Sequence, residues 1–209
     1  MAPISNTGTV ALGANDVLAD TGAINIAGGS LAMSTYSDTV GAITLSSGSI
    51  SGTSGVLTGS NYAVTNTSGT TTISAILAGA ANLVKSGVGT LVLSNANTYT
   101  GTTTINGGTL NMTGTLSDLT AVTVASGATY IVGANDTIAS IAGAGNITLT
   151  GNLTAGATPD TTFSGVMSGA GSFTKVGAGT LTLSGPNTFT GGTNIKYRYR
   201  CTGRKRCLG

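Results

Sequence analysis

Residues Lys85 to Leu110 read KSGVGTLVLSNANTYTGTTTINGGTL. The stretch carries one charged side chain, five glycines and seven threonines. Its apolar side chains do not follow a helical spacing. Leu91 and Leu93 alternate with small or polar neighbours. Alternate side chains of a strand face opposite ways, so this segment offers one aliphatic face and one hydroxyl-rich face. Gly87 and Gly89 before it, and Asn97 and Gly101 after it, supply turn chemistry.

The same template returns at Thr174 to Ile195, TKVGAGTLTLSGPNTFTGGTNI. Lys85, Gly87, Gly89, Leu91 and Leu93 match Lys175, Gly177, Gly179, Leu181 and Leu183. Asn97, Tyr99 and Gly101 match Asn187, Phe189 and Gly191. Every pair has the same offset, that of Lys85 from Lys175. Upstream, ISAILAGAANLV from Ile73 aligns with FSGVMSGAGSFT from Phe163, so the long copies span 73–110 and 163–195. A second echo joins GGSLAMSTYSDTVGAITLSSG, from Gly28, to GGTLNMTGTLSDLTAVTVASG, from Gly107. The step from Gly28 to Gly107 is shorter than that from Lys85 to Lys175, which we read as loops of varying length. Internal repetition at this scale points to a stacked repeat architecture.

Alternation recurs elsewhere, at Ile24 and Ile26, Ile43 and Leu45, Val122 and Val124, and Ile147 and Leu149. Segments such as NGGT, ASGA, GAGN and SGPN punctuate it. The best helical candidate, TTISAILAGAANLVK, has an aligned copy with three glycines, TTFSGVMSGAGSFTK, and each would cost a helix about 1 kcal/mol. Both copies are therefore read as strand and turn. Short strands at regular, close spacing suit a sandwich, a barrel or a solenoid, and the repeats select the solenoid. The fold class expected is all-β: a single-stranded, right-handed parallel β-helix, an uncapped fragment with a disordered basic tail. Coils of roughly 20 residues give about ten coils and a rod about 45–50 Å long.

Composition agrees. Of 209 residues, 40% are hydrophobic and only 7% charged, against about 25% charged in an average domain. The chain is rich in Thr, Val and Ile, which favours folded β-structure over disorder. The net charge of +2 conceals a division: residues 1–195 hold Lys85 and Lys175 against six Asp, whereas 196–209 hold six basic residues and both cysteines, Cys201 and Cys207. We read 1–195 as the repeat region and 196–209 as a tail foreign to it, arising from a frameshift, a truncated gene or a mis-called end. The opening MAPISNTGTV shows neither the basic nor the apolar region of a secretory signal.

At its two long copies the sequence resembles the autotransporter-associated β-strand repeat. The resemblance rests on Lys-x-Gly-x-Gly-Thr-Leu-x-Leu-Ser at 85–94 and 175–184, and on Asn-Thr-aromatic-Thr-Gly at 97–101 and 187–191. It implies the passenger region of a secreted or outer-membrane-anchored bacterial protein, at the cell surface or outside the cell. It also implies a structural role in export and display, with the membrane reached only through a translocator barrel that this stretch does not contain. An adhesin-like module binding surface glycans or host molecules is one alternative function, and a truncated gene product without independent function is a further one.

Catalysis is not expected. Without His the Ser-His-Asp and Cys-His constellations are excluded, and without Glu a glycosidase pair would need two of the scattered Asp. Neither Gly-Val-Gly at 87–89 nor Gly-Ala-Gly at 177–179 completes a nucleotide-binding fingerprint. No cofactor, metal or nucleic-acid partner is expected. Lys85 and Lys175 are read as structural, beside a turn or a carbonyl cluster. Tyr99 and Phe189 are read as packing residues, with sugar stacking as the lesser reading. Open coil ends are expected to promote association end to end.

Overall fold

The computed structural model describes residues 8–156 and 159–196. The basic tail beyond Lys196, with Cys201 and Cys207, lies outside the described residues, so the expectations placed on it are not addressed. Within them the chain forms 23 short strands and no helix. Every strand pairing is parallel and joins one coil to the next. The TTISAILAGAANLVK segment becomes three strands, Thr70–Ile73, Ile76–Ala78 and Leu83–Lys85.

Each coil visits three faces in a constant order, which we number from the Leu83–Lys85 strand. The first face takes Leu83–Lys85, the second takes Thr90–Leu93, and the third takes strands such as Ile76–Ala78. One inward column of the first face shows the stack directly: Ile26, Leu45, Val64, Lys85, Ile105, Val124, Gly143, Phe163 and Leu183 are successive register partners. The column has nine rungs, so the described rod has nine coils rather than ten and is about 40 Å long.

Coil length varies. The step from Thr129 to its partner Asn146 is short, and the step from Ser49 to its partner Thr72 is long. The first and second faces merge into one 16-stranded sheet because Ile24–Ser34 and Ala42–Gly52 run unbroken round the corner between them. Gly28 and Gly48 turn that corner at φ of 100° and 95°.

The third face is divided into a three-stranded and a four-stranded sheet. Between them the backbone ladder thins to a single bridge, Ala96 to Thr115. Side chains take over there. Leu77 N donates to Asn97 Oδ1 at 3.1 Å, and Leu116 N donates to both oxygens of Asp136 at 3.2 Å. A buried amide N–H left without a partner would cost about 1–3 kcal/mol, so each Asn or Asp holds one coil to the next where the ladder lapses.

The core is the aliphatic interior of the tube. Leu91, Leu93, Ile105, Leu110, Val124, Ile147 and Leu149 are fully buried, each alternating with an outward neighbour. Burial of one such side chain is worth about 1.5–3 kcal/mol, and the stack repeats it on every rung.

The register also settles the two repeat lengths. The shorter echo corresponds to four complete turns. Ile43 reaches Val122, its sequence equivalent, through Tyr62, Leu83 and Thr103, always on the first face. The longer repeat does not close on itself in this way. Four turns from Lys85 lead to Phe163, and the fifth leads to Leu183. Lys175 lies between these, on the third face, in the column Ala155, Lys175, Ile195. Likewise Leu91 lies on the second face and Leu181 on the first. The two copies are thus four and two-thirds turns apart. Loop variation, our expectation for the difference between the two spacings, is real but is not its main cause; the larger part is a rotation of the second copy by one face.

Candidate functional site

The two copies are the most information-rich parts of the sequence, and their local geometry is nearly the same despite the rotation. Lys85 is buried in its column between Val64 and Ile105. Its Nζ donates to the carbonyls of Ser86 at 2.8 Å, Gly87 at 2.9 Å and Gly107 at 3.3 Å. Lys175 Nζ donates to Val176 at 2.8 Å, Gly177 at 3.2 Å and Gly156 at 2.8 Å. In each copy the ammonium gathers the carbonyls of the next two residues, plus one from a neighbouring coil. For Lys85 that coil is the following one and for Lys175 the preceding one. Burial lowers the pKa of Lys85 below its ordinary value. The three carbonyl dipoles hold the charge in place.

The local turn explains the spacing. Gly87 and Gly177 both adopt φ of 74°, a left-handed conformation that turns the carbonyls back over the lysine. A Cβ at Gly87 would also meet the carbonyl oxygen of Asn66 in the coil before. Gly89 packs against the Asn66 side chain, and Gly101 and Gly191 against the backbones of Ala81 and Gly171. Gly179 lies in the second turn, between Phe173–Val176 and Leu181–Leu183.

Asn97 and Asn187 make matching bonds. Each accepts from a backbone N–H one coil earlier, Leu77 at 3.1 Å and Met167 at 2.8 Å. Each also donates through Nδ2 to a carbonyl just behind it in the chain, Asn95 at 2.9 Å and Gly185 at 3.1 Å.

Tyr99 is fully buried, and its hydroxyl pairs with Thr103 Oγ1 at 2.6 Å. Its ring lies 5.9 Å from that of Tyr62. This removes Tyr99 as a sugar-stacking platform, because no face of the ring reaches solvent. Phe189 is only half-buried, as are Leu181 and Leu183, whereas Leu91 and Leu93 are wholly enclosed. The first copy is covered by Thr103–Ile105 and Thr109–Met112. Among the described residues, Leu181–Leu183 and Thr193–Lys196 pair on one side only.

Sequence reasoning treated the Asp residues as scattered turn formers and missed the roles of two. Asp38 and Asp136 are buried inside the tube. Asp38 Oδ2 accepts from Val17 N at 2.9 Å and Leu18 N at 3.0 Å, while its Oδ1 has no partner. Asp136 accepts from Leu116 and Thr137 N–H groups and from the Tyr130 hydroxyl at 3.5 Å. Burial raises its pKa to about 6, with Asp118 adding to the rise and the three donors opposing it. The signal was present as Asp-Thr before an aliphatic residue at 38–40 and 136–138, a shared local pattern. Among the described residues, no three metal-ligating side chains gather at one place.

The outer surface is hydroxyl-rich and nearly uncharged. Thr70, Thr90, Thr109 and Thr129 are in register on the second face, a row that ends at Asn146. Outward positions of the first face mix Thr44, Ala63, Val84 and Thr104.

Residues 83–112 and 173–196 match the profile of the Passenger-associated-transport-repeat family. These are the two segments that carry the lysine loops on different faces. Over 130 residues, 59% of the chain, the sequence is 36% identical to the adhesin BmaC autotransporter of Brucella suis biovar 1 (strain 1330). The chain spans 4% of the length of that curated relative. No solved structure matches the chain.

Proposed function

Taking the chain as a passenger-type repeat protein of the autotransporter kind, we propose that residues 8–196 serve as a structural stalk at the bacterial cell surface, without catalysis. The observation that carries this reading is the distribution of the polar groups. The most elaborate polar chemistry, at Lys85, Asn97 and Asp136, is turned inward to hold coil to coil. The outer faces present short, uncharged side chains in rows. Such a tube resists bending, and each finished coil templates the next. Folding outside the cell would then favour outward movement of the chain still in transit. A full chain placed between an export signal and a translocator barrel should display an appended epitope on the cell surface. Leu91→Asp with Leu93→Asp should abolish display by opening the core. Equal display by that variant would overturn the proposal.

A second reading is supported by the relative's description as an adhesin: the outer rows bind a surface glycan or host molecule. Saturable binding of the full chain on a glycan array, lost on replacing Thr90 and Thr109 with Glu, would favour it. No binding anywhere on the array would leave the stalk.

A further inference from the structure

Asn106 is followed by Gly107, and no other asparagine of the chain precedes a glycine. The pair stands at the corner between Thr103–Ile105 and Thr109–Met112, in the middle of the rod. Coils lie on both sides of it. Asn106 N donates to the Lys85 carbonyl at 2.8 Å, and Ala125 N donates to the Ile105 carbonyl at 2.9 Å.

The Asn106 side chain is exposed. Among the described residues, neither it nor the Gly107 N–H has a hydrogen-bond partner. Other asparagines are tied down. Asn82 Oδ1 accepts from Thr102 N at 2.8 Å, and Asn152 Oδ1 from Ser172 N at 2.9 Å. Asn95 Nδ2 donates to the Thr53 and Ser74 carbonyls, and Asn97 is buried. Gly107 has no Cβ to hold its nitrogen away from the neighbouring side-chain amide. Gly108 follows in the left-handed region at φ of 63°, so the corner is free of side chains after Asn106.

We propose that Asn106 is a self-modification site, converting to isoaspartate in the folded rod with water as the co-reactant. The Gly107 nitrogen gives up its proton and attacks Cγ of Asn106. A C–N bond closes a cyclic imide, the bond from Cγ to the side-chain nitrogen breaks, and that nitrogen leaves as ammonia with the proton. Water then opens the ring. Attack at Cγ restores the ordinary main chain, with an aspartate at 106. Attack at the main-chain carbonyl routes the chain through Cγ and gives isoaspartate. Nothing is oxidised or reduced.

The place of the change gives it a consequence. Isoaspartate adds one methylene to the main chain between Ile105 and Gly107 and leaves a carboxylate there. Gly107 O accepts from Lys85 Nζ at 3.3 Å, and of the three lysine bonds this one joins two coils. The modified loop draws Gly107 away. Lys85 keeps Ser86 and Gly87 and loses its stitch to the following coil.

The full chain, aged in reductant in warm, mildly alkaline buffer, tests this by peptide mapping with enzymatic methyl labelling of isoaspartate. Label should appear at Asn106 first and be absent from Asn106→Ser, an exposed change that leaves the core alone. Gly107→Ala should slow labelling by about tenfold, because a Cβ narrows the backbone angles open to the attacking nitrogen. The isoaspartyl fraction, isolated by ion exchange, should show an unfolding equilibrium constant raised about tenfold in urea, the worth of one hydrogen bond from a charged donor. Freshly purified Asn106→Asp, which adds the charge without lengthening the main chain, should match the parent. Three results would each overturn the proposal: an Asn106 amide that survives in the folded chain while the urea-unfolded chain converts, equal labelling at another asparagine, or an isoaspartyl fraction as stable as the parent.

Discussion

At the scale of the residue, one motif position has two energetic values. Leu91 and Leu181 are equivalent in sequence, yet Leu91 is enclosed and Leu181 is half-open. Leu91→Ala should cost about 2–5 kcal/mol, the usual range for a buried Leu. Leu181→Ala should cost clearly less in the dilute monomer, as read from urea midpoints. Asp136 supplies a pH dependence of definite sign. Its pKa rises from 3.8 unfolded to about 6 folded, so the folded state holds the proton more tightly. This contribution is fully present below about pH 4 and is lost as pH climbs through 6. The loss is about 3 kcal/mol at neutral pH. Asp136→Asn should therefore raise stability at pH 7 and flatten the slope between pH 4 and 6 in denaturant titrations. Burial of Asp136 was not legible in the sequence. An Asp in a Gly- and Asn-rich segment reads as a turn former, and only stacking shows that it faces inward to accept from Leu116.

At the scale of the element, the lysine loop is a self-contained device. A short strand ends in Lys, a left-handed Gly follows, and the ammonium collects the carbonyls that the turn exposes. Since two of its three bonds are to the next two residues, the loop works on any face. It stands on the first face at Lys85 and on the third at Lys175. Lys85→Met keeps most of the packing but leaves three carbonyls without a donor. It should lower stability by about 2–4 kcal/mol, given about 1–3 kcal/mol for each buried group left unpaired and partial relaxation of the loop. Circular dichroism melts of the variant beside the parent would measure this. The strands and turns were readable in advance, because alternation and Gly/Asn punctuation are local properties of the chain. The third bond of each lysine was not, since Gly107 and Gly156 lie on opposite sides along the rod.

At the scale of the whole molecule, a solenoid should tolerate the loss of a complete coil and not of half a coil. Deleting residues 90–108 joins Gly89 to Thr109, the register partner of Thr90, and leaves the columns continuous. The shortened chain should keep its β-type dichroism and melt cooperatively. Deleting 90–98 should abolish both, because it puts Tyr99, Thr100, Gly101 and Thr102 in the places of Thr90–Leu93 and leaves every later segment out of step with its column. Local patterning was enough for the parallel stacked architecture, the approximate length of a coil, and the inward placing of Leu91 and Leu93. Each of these follows from side-chain periodicity and turn chemistry, which act over short stretches of chain. The arrangement of the repeats around the rod emerges only once the coils are stacked. The longer repeat advances by four and two-thirds turns and its copies occupy different faces, whereas the shorter echo returns to the same face. That phase is the sum of every intervening coil, short ones such as Thr129 to Asn146 included, and no single motif contains it.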